Sequence, residues 1–565
     1  MNAYSIFHVG PISGLATFSD KYIATAGYDN QLILWCAQTN KALACGRHDH
    51  LVNQCDFSPD GTLLVSSSSD YTARVWSVPD MRLIGVISVH ADDVSKAAFS
   101  PDGQQIATSS FDGTLSVHDL HGVFKKRLVG HTGLIENFDW GKDNRTLQSC
   151  GMDGTIRTWD TLTGECRAVR SIDGVDIDTL VTLTDGTILA GNSDGSIASI
   201  DPYDNVTFFD AHTTAIKLLF ADDAERRLVS LGYDNRVHIW DLNKGSLEAK
   251  IKTSTFPRCI WARSASFLTE NVIAFATFGT TYATWDLASD VWDTDRVGPI
   301  PGVNAVFAGS DGIYSVGDAG VLEKSGAEIA NLGTLCNFVV EDNGQIFAGG
   351  QAGIVFDALT ATELYRHNSP LNCAVIVKSA AATFLAVGTY SGHVIYLNVK
   401  DPAETKVVKV HSGAIKGIAC QNGIIATGTS DGEIKYTDVD TLEVTSEIGS
   451  AHDGIVNDLC VYESGFATVS RDLTLRLWRN GVSSPDVFKS SHRHSIKCVA
   501  SSSRGDLIAS GSYGGTIQVF DVNRKNWTGK PVRPTLSGIS SLTWDEATQA
   551  FIAGSYDGRL YSVHP

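Results

Sequence analysis

The chain has 565 residues, of which 43% are hydrophobic and 19% charged, and its formal net charge is −19. This acidity argues against a protein that coats nucleic acid or an anionic membrane through bulk electrostatics. No apolar stretch is long enough to span a bilayer, and Met1 leads directly into a strand-like segment, so we expect neither a membrane span nor a signal peptide.

Short apolar runs rich in Val, Ile and Thr alternate with Gly, Asp and Asn turn signals along the chain, and this pattern predicts strands joined by tight turns. An Asp, or a residue that replaces it, recurs in one of these turns, and most steps between copies are 39 to 43 residues. In chain order the turn positions are Asp29, Asp70, Asp112, Asp153, Asp194, Asp234, Gly279, Asp318, Ala352, Ser391, Asp431, Asp472, Gly514 and Asp557.

A sequence period in this range is typical of a propeller blade. One four-stranded blade cannot bury both of its faces, so blades must stack around an axis. Because known propellers carry roughly four to eight blades, fourteen copies predict two propellers of seven blades each. We expect the first over residues 8–297 and the second over residues 298–565.

Two copies show most clearly what the period contains. They are "HDHLVNQCDFSPDGTLLVSSSSDYTARVW" at 48–76 and "HTGLIENFDWGKDNRTLQSCGMDGTIRTWD" at 131–160. Each has a His before the first strand, a hairpin turn, a Ser, an Asp-containing turn, and a Trp near the end of the third strand. These segments resemble WD40 repeats. The resemblance implies an all-β chain of two WD40 β-propellers in tandem.

A His, a Ser or Thr, an Asp and a Trp recur at matching offsets in five copies. These tetrads are His8, Thr25, Asp29, Trp35; His48, Ser66, Asp70, Trp76; His131, Ser149, Asp153, Trp159; His212, Ser230, Asp234, Trp240; and His452, Thr468, Asp472, Trp478. Two further copies keep three members, namely His90, Thr108, Asp112 and His411, Thr427, Asp431. A Ser–His–Asp set can act as a nucleophile with its base, but an enzyme needs one such site in a cleft. We therefore interpret the sets as structural, and the resemblance implies hydrogen bonds from Asp through His and Ser/Thr to the Trp indole.

The tetrads are missing from residues 251–401, although the strand pattern persists there. Either degenerate blades tolerate the loss because burial carries most of their stability, or blades at the junction of the propellers face each other or a partner and their loops are reshaped for that contact. The chain ends where a third strand ends, so the last blade lacks an outer strand. We expect the N-terminal strand at residues 3–7 to complete it, in a plan comparable to tandem propellers of the actin-interacting protein 1 type. The alternative gives each propeller its own closing strand.

The residue before each turn position is expected to project from the upper face, where the His-containing loops also lie. Interfaces favour aromatic residues, Met and Arg over the small polar residues usual in turns. The predicted partner-binding ring is Tyr28, Phe111, Met152, Tyr233, Phe278, Tyr390, Arg471, Tyr513 and Tyr556, with Lys416 and Lys497 from a neighbouring set of first-strand residues. In the second propeller this basic and aromatic patch could receive an acidic or phosphorylated peptide. The alternatives are rings that merely cap their blades and lysines that are simply solvated.

Other site chemistry is sparse. Eleven Cys occur without C-x-x-C pairs, which favours buried free thiols in a reducing cytoplasm. No cofactor motif appears, and we predict no metal site, since the pairs His48/His50 and His492/His494 each contain one repeat histidine. We therefore predict a non-catalytic scaffold in the cytoplasm that docks proteins or peptides on its upper propeller faces. We expect no direct nucleic-acid partner and no membrane insertion. Whether the chain is a subunit of a larger complex stays open. Two alternatives stay open: an actin-filament disassembly cofactor of actin-interacting protein 1 type, and a small-molecule or enzyme site in a propeller channel.

Overall fold

The computed structural model describes residues 6–172, 176–222, 224–243, 246–257, 259–299, 302–380, 382–479 and 484–565. Within these ranges the protein is all-β, which confirms the predicted class, and the helical part is a single 3-10 turn at Pro402–Glu404. Among these residues no helix has the length and apolar character needed to cross a membrane. The chain divides into two compact units, Met1–Pro299 and Ile300–Pro565.

The described residues of the first unit form seven antiparallel sheets, each built from four consecutive strands. The strands are β1 (Ile12–Phe18), β2 (Tyr22–Gly27), β3 (Gln31–Cys36), β4 (Lys41–Arg47); β5 (Val52–Phe57), β6 (Leu63–Ser68), β7 (Ala73–Ser77), β8 (Leu83–Ile87); β9 (Val94–Phe99), β10 (Ile106–Ser110), β11 (Thr114–His118), β12 (Phe124–Val129); β13 (Ile135–Trp140), β14 (Thr146–Gly151), β15 (Thr155–Asp160), β16 (Cys166–Ser171); β17 (Ile177–Thr182), β18 (Ile188–Asn192), β19 (Ser196–Ile200), β20 (Val206–Asp210); β21 (Ile216–Ala221), β22 (Arg227–Gly232), β23 (Arg236–Asn243), β24 (Ser246–Thr255); β25 (Ile260–Thr269), β26 (Val272–Thr277), β27 (Ala283–Asp286) and β28 (Val291–Asp293).

The described residues of the second unit form six further four-stranded sheets and one of three strands. The strands are β29 (Val303–Gly309), β30 (Gly312–Gly317), β31 (Val321–Lys324), β32 (Ala327–Asn331); β33 (Cys336–Asp342), β34 (Gln345–Gly350), β35 (Ile354–Asp357), β36 (Thr362–Arg366); β37 (Leu371–Lys378), β38 (Thr383–Thr389), β39 (His393–Asn398), β40 (Lys406–Lys409); β41 (Ile415–Gln421), β42 (Ile424–Thr429), β43 (Ile434–Asp438), β44 (Val444–Ile448); β45 (Val456–Tyr462), β46 (Gly465–Ser470), β47 (Thr474–Arg479), β48 (Asp486–Lys489); β49 (Ile496–Ser501), β50 (Leu507–Ser512), β51 (Ile517–Asp521), β52 (Asn526–Trp527); β53 (Ile539–Asp545), β54 (Ala550–Ser555) and β55 (Leu560–Val563).

The sheets of each unit close into a ring. The first strand of each sheet contacts the first strand of the next, and β1 contacts β25 just as β29 contacts β53. This is the arrangement of β-propeller blades, which we number 1 to 14 in chain order. Each first strand begins at a buried apolar residue that we call the anchor. The anchors are Ile12, Val52, Val94, Ile135, Ile177, Ile216 and Ile260 in the first unit and Val303, Cys336, Leu371, Ile415, Val456, Ile496 and Ile539 in the second.

Burial follows the position of a strand in its blade. The second strands β2, β6 and β10 are buried along almost their whole length, because each lies between two strands and between two neighbouring blades. The sequences of these strands are therefore continuous runs of small and apolar residues, as is usual for buried strands. The fourth strands β12 and β16 are outermost and largely exposed, so their polar and charged residues have access to solvent.

Blade 7 obtains its outer strand from the residues that directly follow its third strand, because β28 pairs with β27. Blade 14 has three strands, β53 to β55, among the described residues. Of the predicted closing strand at 3–7, residues 3–5 lie outside the described residues, while Ile6 packs against the first-unit cluster that contains Trp35 and Tyr282. Closure of blade 14 by the N-terminal segment therefore stays a prediction.

One predicted turn position is wrong by one residue. In blade 1, Tyr28 directly follows the residue that pairs with the anchor. In blade 8, Val303 pairs with Gly317, so Asp318 occupies the position of Tyr28 and Ala319 that of the turn Asp. The sequence reasoning misplaced this turn because blade 8 has neither the His nor the Trp that fixes the register elsewhere.

All eleven cysteines are free thiols. Cys55, Cys150, Cys336 and Cys498 are buried, six others are half-buried and Cys166 is exposed, so the expectation of buried thiols is wrong for Cys166 and too strong for the half-buried ones.

Candidate protein-interaction surfaces

Each of the five complete tetrads is joined by the same three hydrogen bonds. In blade 2, Nδ1 of His48 lies 2.9 Å from Oδ2 of Asp70 and Nε2 lies 2.7 Å from Oγ of Ser66. The indole N–H of Trp76 donates to the same Ser66 oxygen at 2.9 Å. The other four tetrads repeat these contacts, with His–Asp, His–Ser/Thr and Trp–Ser/Thr distances of 2.7 to 3.1 Å.

The environment of the tetrads shows that they hold the strands of each blade together. Burial lowers the pKa of His48, so its imidazole is neutral at neutral pH. Burial alone would raise the pKa of Asp70, but hydrogen bonds from His48 and Thr72 hold it well below its usual range. The Ser66 hydroxyl is fully buried and bonded on both sides, so no substrate carbonyl can reach it. The hydrogen bonds of each tetrad satisfy buried polar groups and do not activate a nucleophile.

Two incomplete sets are completed in ways that the repeat does not predict. In blade 3, the Ser116 hydroxyl lies 2.7 Å from Thr108 Oγ1 and 2.8 Å from His118 Nε2, so this His and Ser stand in for the Trp.

In blade 11, Nδ1 of His411 bonds Oε2 of Glu433 at 2.5 Å, not Asp431, so the predicted partner is wrong. The longer Glu side chain reaches the imidazole from two residues further on. Asp431 is exposed and accepts a hydrogen bond from the Ser430 hydroxyl.

The predicted ring residues are mostly half-buried. Of the set Tyr28, Phe111, Met152, Tyr233, Phe278, Tyr390, Lys416, Arg471, Lys497, Tyr513 and Tyr556, none is exposed. Phe278 is fully buried, which corrects its assignment to the binding ring, because it stacks on Trp261 at 5.1 Å between ring centroids. Tyr28 meets the same Trp261 edge-on at 5.3 Å. Several ring residues thus combine packing against a neighbour with partial exposure.

The residue after each anchor forms a second repeated feature. In nearly every blade the pairing register shifts at this residue, as in the steps from Ile12 to Gly14 and from Val456 to Asp458. A β-bulge leaves the extra residue out of the ladder and re-aims its side chain. We call these fourteen residues the belt: Ser13, Asn53, Ser95, Glu136, Asp178, Lys217, Trp261, Asn304, Asn337, Asn372, Lys416, Asn457, Lys497 and Ser540.

Eight belt residues tie one blade to the next. Their Ser hydroxyl or Asn amide donates to the carbonyl oxygen of the next anchor, as Asn53 does to Val94 at 3.0 Å and Asn457 to Ile496 at 2.7 Å. The eight donors are Ser13, Asn53, Ser95, Asn304, Asn337, Asn372, Asn457 and Ser540. This structural role was not predicted from the sequence, although the preference for Asn and Ser at the position is visible there.

Two belt residues of the second unit are lysines. The Lys416 ammonium lies 4.1 Å from the centroid of the Tyr390 ring, a cation–π contact. Burial opposes the charge of Lys497, but the neighbouring Tyr513, Asp458 and Tyr390 raise its pKa overall, so it stays protonated at neutral pH.

Around these lysines lies a set that we call the basic cluster. Arg471 holds the ring position of the intervening blade 12, and Tyr513 stacks on Tyr556 with centroids 6.2 Å apart. The nearby Asp458 accepts from the Val499 backbone N–H at 2.9 Å, so its carboxylate is engaged in joining blades. The basic cluster consists of Tyr390, Lys416, Arg471, Lys497, Tyr513 and Tyr556 on blades 10 to 14.

The remaining belt departures lie on blades 4 to 7 of the first unit and have a different chemistry. Lys217 donates to Asp178 at 2.6 Å and lies over the Tyr233 ring at 5.2 Å, and Glu136 is close enough to help raise its pKa. Trp261 is the fourth belt residue on these blades that is neither Ser nor Asn. Here Asp178 forms an ion pair with the lysine and compensates its positive charge locally.

Comparison with known proteins identifies the repeat. Residues 42–77, 81–119, 122–160 and 486–521 match the WD domain, G-beta repeat family. Each matched segment runs from the fourth strand of one blade to the third strand of the next, so the sequence repeat is offset by one strand from the sheet. These four segments of the chain are therefore WD40 repeats.

The chain matches three curated relatives, each over less than half of its length. It is 27% identical over 263 residues to "Autophagic-related protein 16.2" of Caenorhabditis elegans, covering 44% of this chain and 48% of that protein. It is 28% identical over 244 residues to "Transcriptional corepressor LEUNIG_HOMOLOG" of Arabidopsis thaliana, covering 42% and 25%. It is 23% identical over 249 residues to "Ribosome biogenesis protein WDR12 homolog" of Anopheles gambiae, covering 41% and 53%. The chain thus spans about half, or less, of the length of these relatives.

Proposed function

We propose that this chain is a non-catalytic scaffold that docks segments of partner proteins on its propeller faces, and that the basic cluster of the second unit receives an acidic or phosphorylated segment. The observation that carries the proposal is the replacement of neutral belt donors by Lys416 and Lys497. Eight belt positions hold a neutral Ser or Asn that bonds the next anchor. A lysine at the same position brings a positive charge to this part of the second unit.

The chemistry of the basic cluster suits an anionic ligand. Two ammonium groups and the Arg471 guanidinium supply positive charge on a chain whose formal net charge is −19. Tyr390, Tyr513 and Tyr556 supply partly buried aromatic surface. Arg and Tyr are enriched in interface hot spots, and Arg can bind a phosphate or carboxylate with two parallel hydrogen bonds. The names of the relatives, which refer to autophagy, corepression and ribosome biogenesis, are compatible with a protein that works by binding others.

The test uses a fluorescein-labelled peptide of alternating Glu and phosphoserine, with binding followed by fluorescence anisotropy. The double variant Arg471→Glu/Lys497→Glu should lose at least about tenfold in affinity, and the wild-type affinity should fall with added salt. The matched control is Lys400→Glu/Lys406→Glu, which changes two exposed residues of the same unit by the same charge. Equal affinity of the two double variants would remove the basic cluster from consideration.

A second experiment addresses native partners. Affinity capture is repeated with Tyr28, Phe111 and Tyr233 replaced by Ser, and separately with the basic cluster reversed. If the same partners are recovered from both variants, docking takes place on the sides or lower faces, and the scaffold proposal fails for the upper faces.

A further inference from the structure

A third polar side chain faces the tetrad carboxylate in several blades, and its identity differs in blade 6. The position lies two residues before the tetrad Trp and holds Arg74, Arg157 and Arg476 in blades 2, 4 and 12. Arg74 Nη2 lies 3.1 Å from the carboxylate of Asp70, and Arg476 Nη2 lies 3.0 Å from that of Asp472. A side chain at this position is therefore directed at the tetrad Asp, to which the guanidinium brings a positive charge.

Blade 6 has His238 at this position. Its ring centroid lies 4.4 Å from that of the tetrad His212, and both histidines are buried. One donor atom each from His212, Asp234 and His238 lies within 4.8 Å of the others. Burial lowers the pKa of His238 to about 3, so at neutral pH this position offers a neutral imidazole instead of a cation.

We propose that His212, Asp234 and His238 bind a divalent transition-metal ion of the zinc type, which takes the place that the arginine charge has in blades 2, 4 and 12. Two imidazoles and a carboxylate are donors that Zn²⁺ prefers, and water supplies the fourth ligand of an open site. Metal–ligand bonds of about 2.0 to 2.2 Å require the donors to move together slightly from their present spacing.

The neighbouring groups fix the orientation of both imidazoles. Nδ1 of His238 lies 2.7 Å from Thr253 Oγ1, which leaves the other nitrogen for the metal. Nε2 of His212 lies 2.8 Å from Ser230 Oγ, so the metal binds at Nδ1 in the tautomer that carries its proton on Nε2. Such contacts orient metal ligands and tune their affinity.

Charges around the site set a limit on its affinity. Arg236 and Lys250 are close enough to lower the pKa of His238, and they also repel a metal ion. The Lys250 ammonium is held partly away from the proposed metal site, because it donates a hydrogen bond to the Ala211 carbonyl at 2.8 Å. We therefore expect binding weaker than that of a closed structural zinc site.

The test uses Co²⁺ and Zn²⁺ as probes with the full chain in a Cys166→Ser background, because Cys166 is an exposed thiol that could bind either ion. We expect one Co²⁺ per chain, with visible absorption typical of nitrogen and oxygen ligands, and competition by Zn²⁺. His238→Arg introduces the residue that blades 2, 4 and 12 carry and should abolish binding. Thr253→Val should weaken binding about tenfold or more.

His494→Ala, on a different blade, is the control and should leave the affinity unchanged. Retained affinity in His238→Arg, or failure of the wild-type chain to bind Zn²⁺, would overturn the proposal. X-ray absorption of the Zn²⁺-loaded wild-type chain gives a readout that needs no variant. Two imidazoles and oxygen ligands are expected there, and sulfur ligands would place the metal elsewhere.

Discussion

Replacing a tetrad carboxylate should be costly only where it bonds the histidine, and blades 11 and 12 provide a matched pair. Asp472 accepts hydrogen bonds from His452 Nδ1 at 2.9 Å, from the Thr474 N–H at 2.9 Å and hydroxyl at 2.6 Å, and from Arg476 at 3.0 Å. Asp431 holds the equivalent sequence position but is exposed. The two substitutions to compare are Asp472→Ala and Asp431→Ala.

The magnitude follows from the donors that each substitution leaves unpaired. Asp472→Ala leaves the buried His452 imidazole without its hydrogen-bond partner, which costs about 1 to 3 kcal/mol. The substitution also removes the contacts of the carboxylate with Thr474 in the turn and with Arg476. The sum is about 3 to 5 kcal/mol, because the partly buried Arg476 also loses its charged partner. Asp431→Ala should change the free energy of unfolding by less than about 0.5 kcal/mol, as at ordinary surface sites. Glu433→Ala should cost about 2 to 3 kcal/mol, because His411 loses its partner.

Urea unfolding monitored by tryptophan fluorescence, together with calorimetry of thermal unfolding, measures these differences in the free energy of unfolding. All three substitutions lie in the second unit, so they are compared on the same unfolding transition. If Asp431→Ala destabilises the unit as much as Asp472→Ala while Glu433→Ala is neutral, His411 bonds the turn Asp after all and the reasoning from Glu433 is wrong.

Three further outcomes are expected. Burial raises the pKa of Asp318 to about 7, so the folded chain retains a proton that the unfolded chain releases near pH 4. The contribution of Asp318 to stability should therefore fall between about pH 4 and 7, on the order of 4 kcal/mol, and urea titrations across that range should show the difference in unfolding free energy between wild type and Asp318→Asn changing by this amount. Asn457→Ala removes the amide that donates to Ile496 and should cost about 1 to 2 kcal/mol by calorimetry, and no change would show that this bond between blades contributes nothing. Trp159→Phe keeps most of the packing but removes the indole donor to Ser149, so its melting curve should show a loss of about 1 kcal/mol with unchanged circular dichroism.

Much of the fold is readable from the sequence because the repeat is local. The His, Ser and Asp of one tetrad lie within about two dozen residues, and the turn and strand signals between them repeat at a constant spacing. The all-β class and the WD40 character follow from that spacing. Where the markers are missing, as in blade 8, the register of Asp318 could not be assigned, because apolar alternation alone allows a slip of one residue.

The candidate surfaces could be predicted only in part. Lys416, Lys497 and the aromatic ring positions were recognisable from their place in the repeat. Trp261 was not, although it packs against both Tyr28 and Phe278 and decides that Phe278 is buried. Its partners are more than two hundred residues away or lie beyond a complete strand, and no local pattern records such a contact.

The amino-acid sequence by itself determined the strands, the turns and the polar sets that join strands within a blade, because those contacts are short-range and repeat with the chain. The tertiary structure decided which first strands meet to close each ring, which belt residues bond the next blade, and which carboxylate His411 contacts. It also brought His238 beside His212 and Asp234. Ring closure and the belt bonds depend on β-bulges and on packing between neighbouring blades, which bring together residues about forty or more positions apart. The contacts of His411 and His238 lie within one blade, but they depend on how far each side chain reaches, which the repeat pattern does not specify.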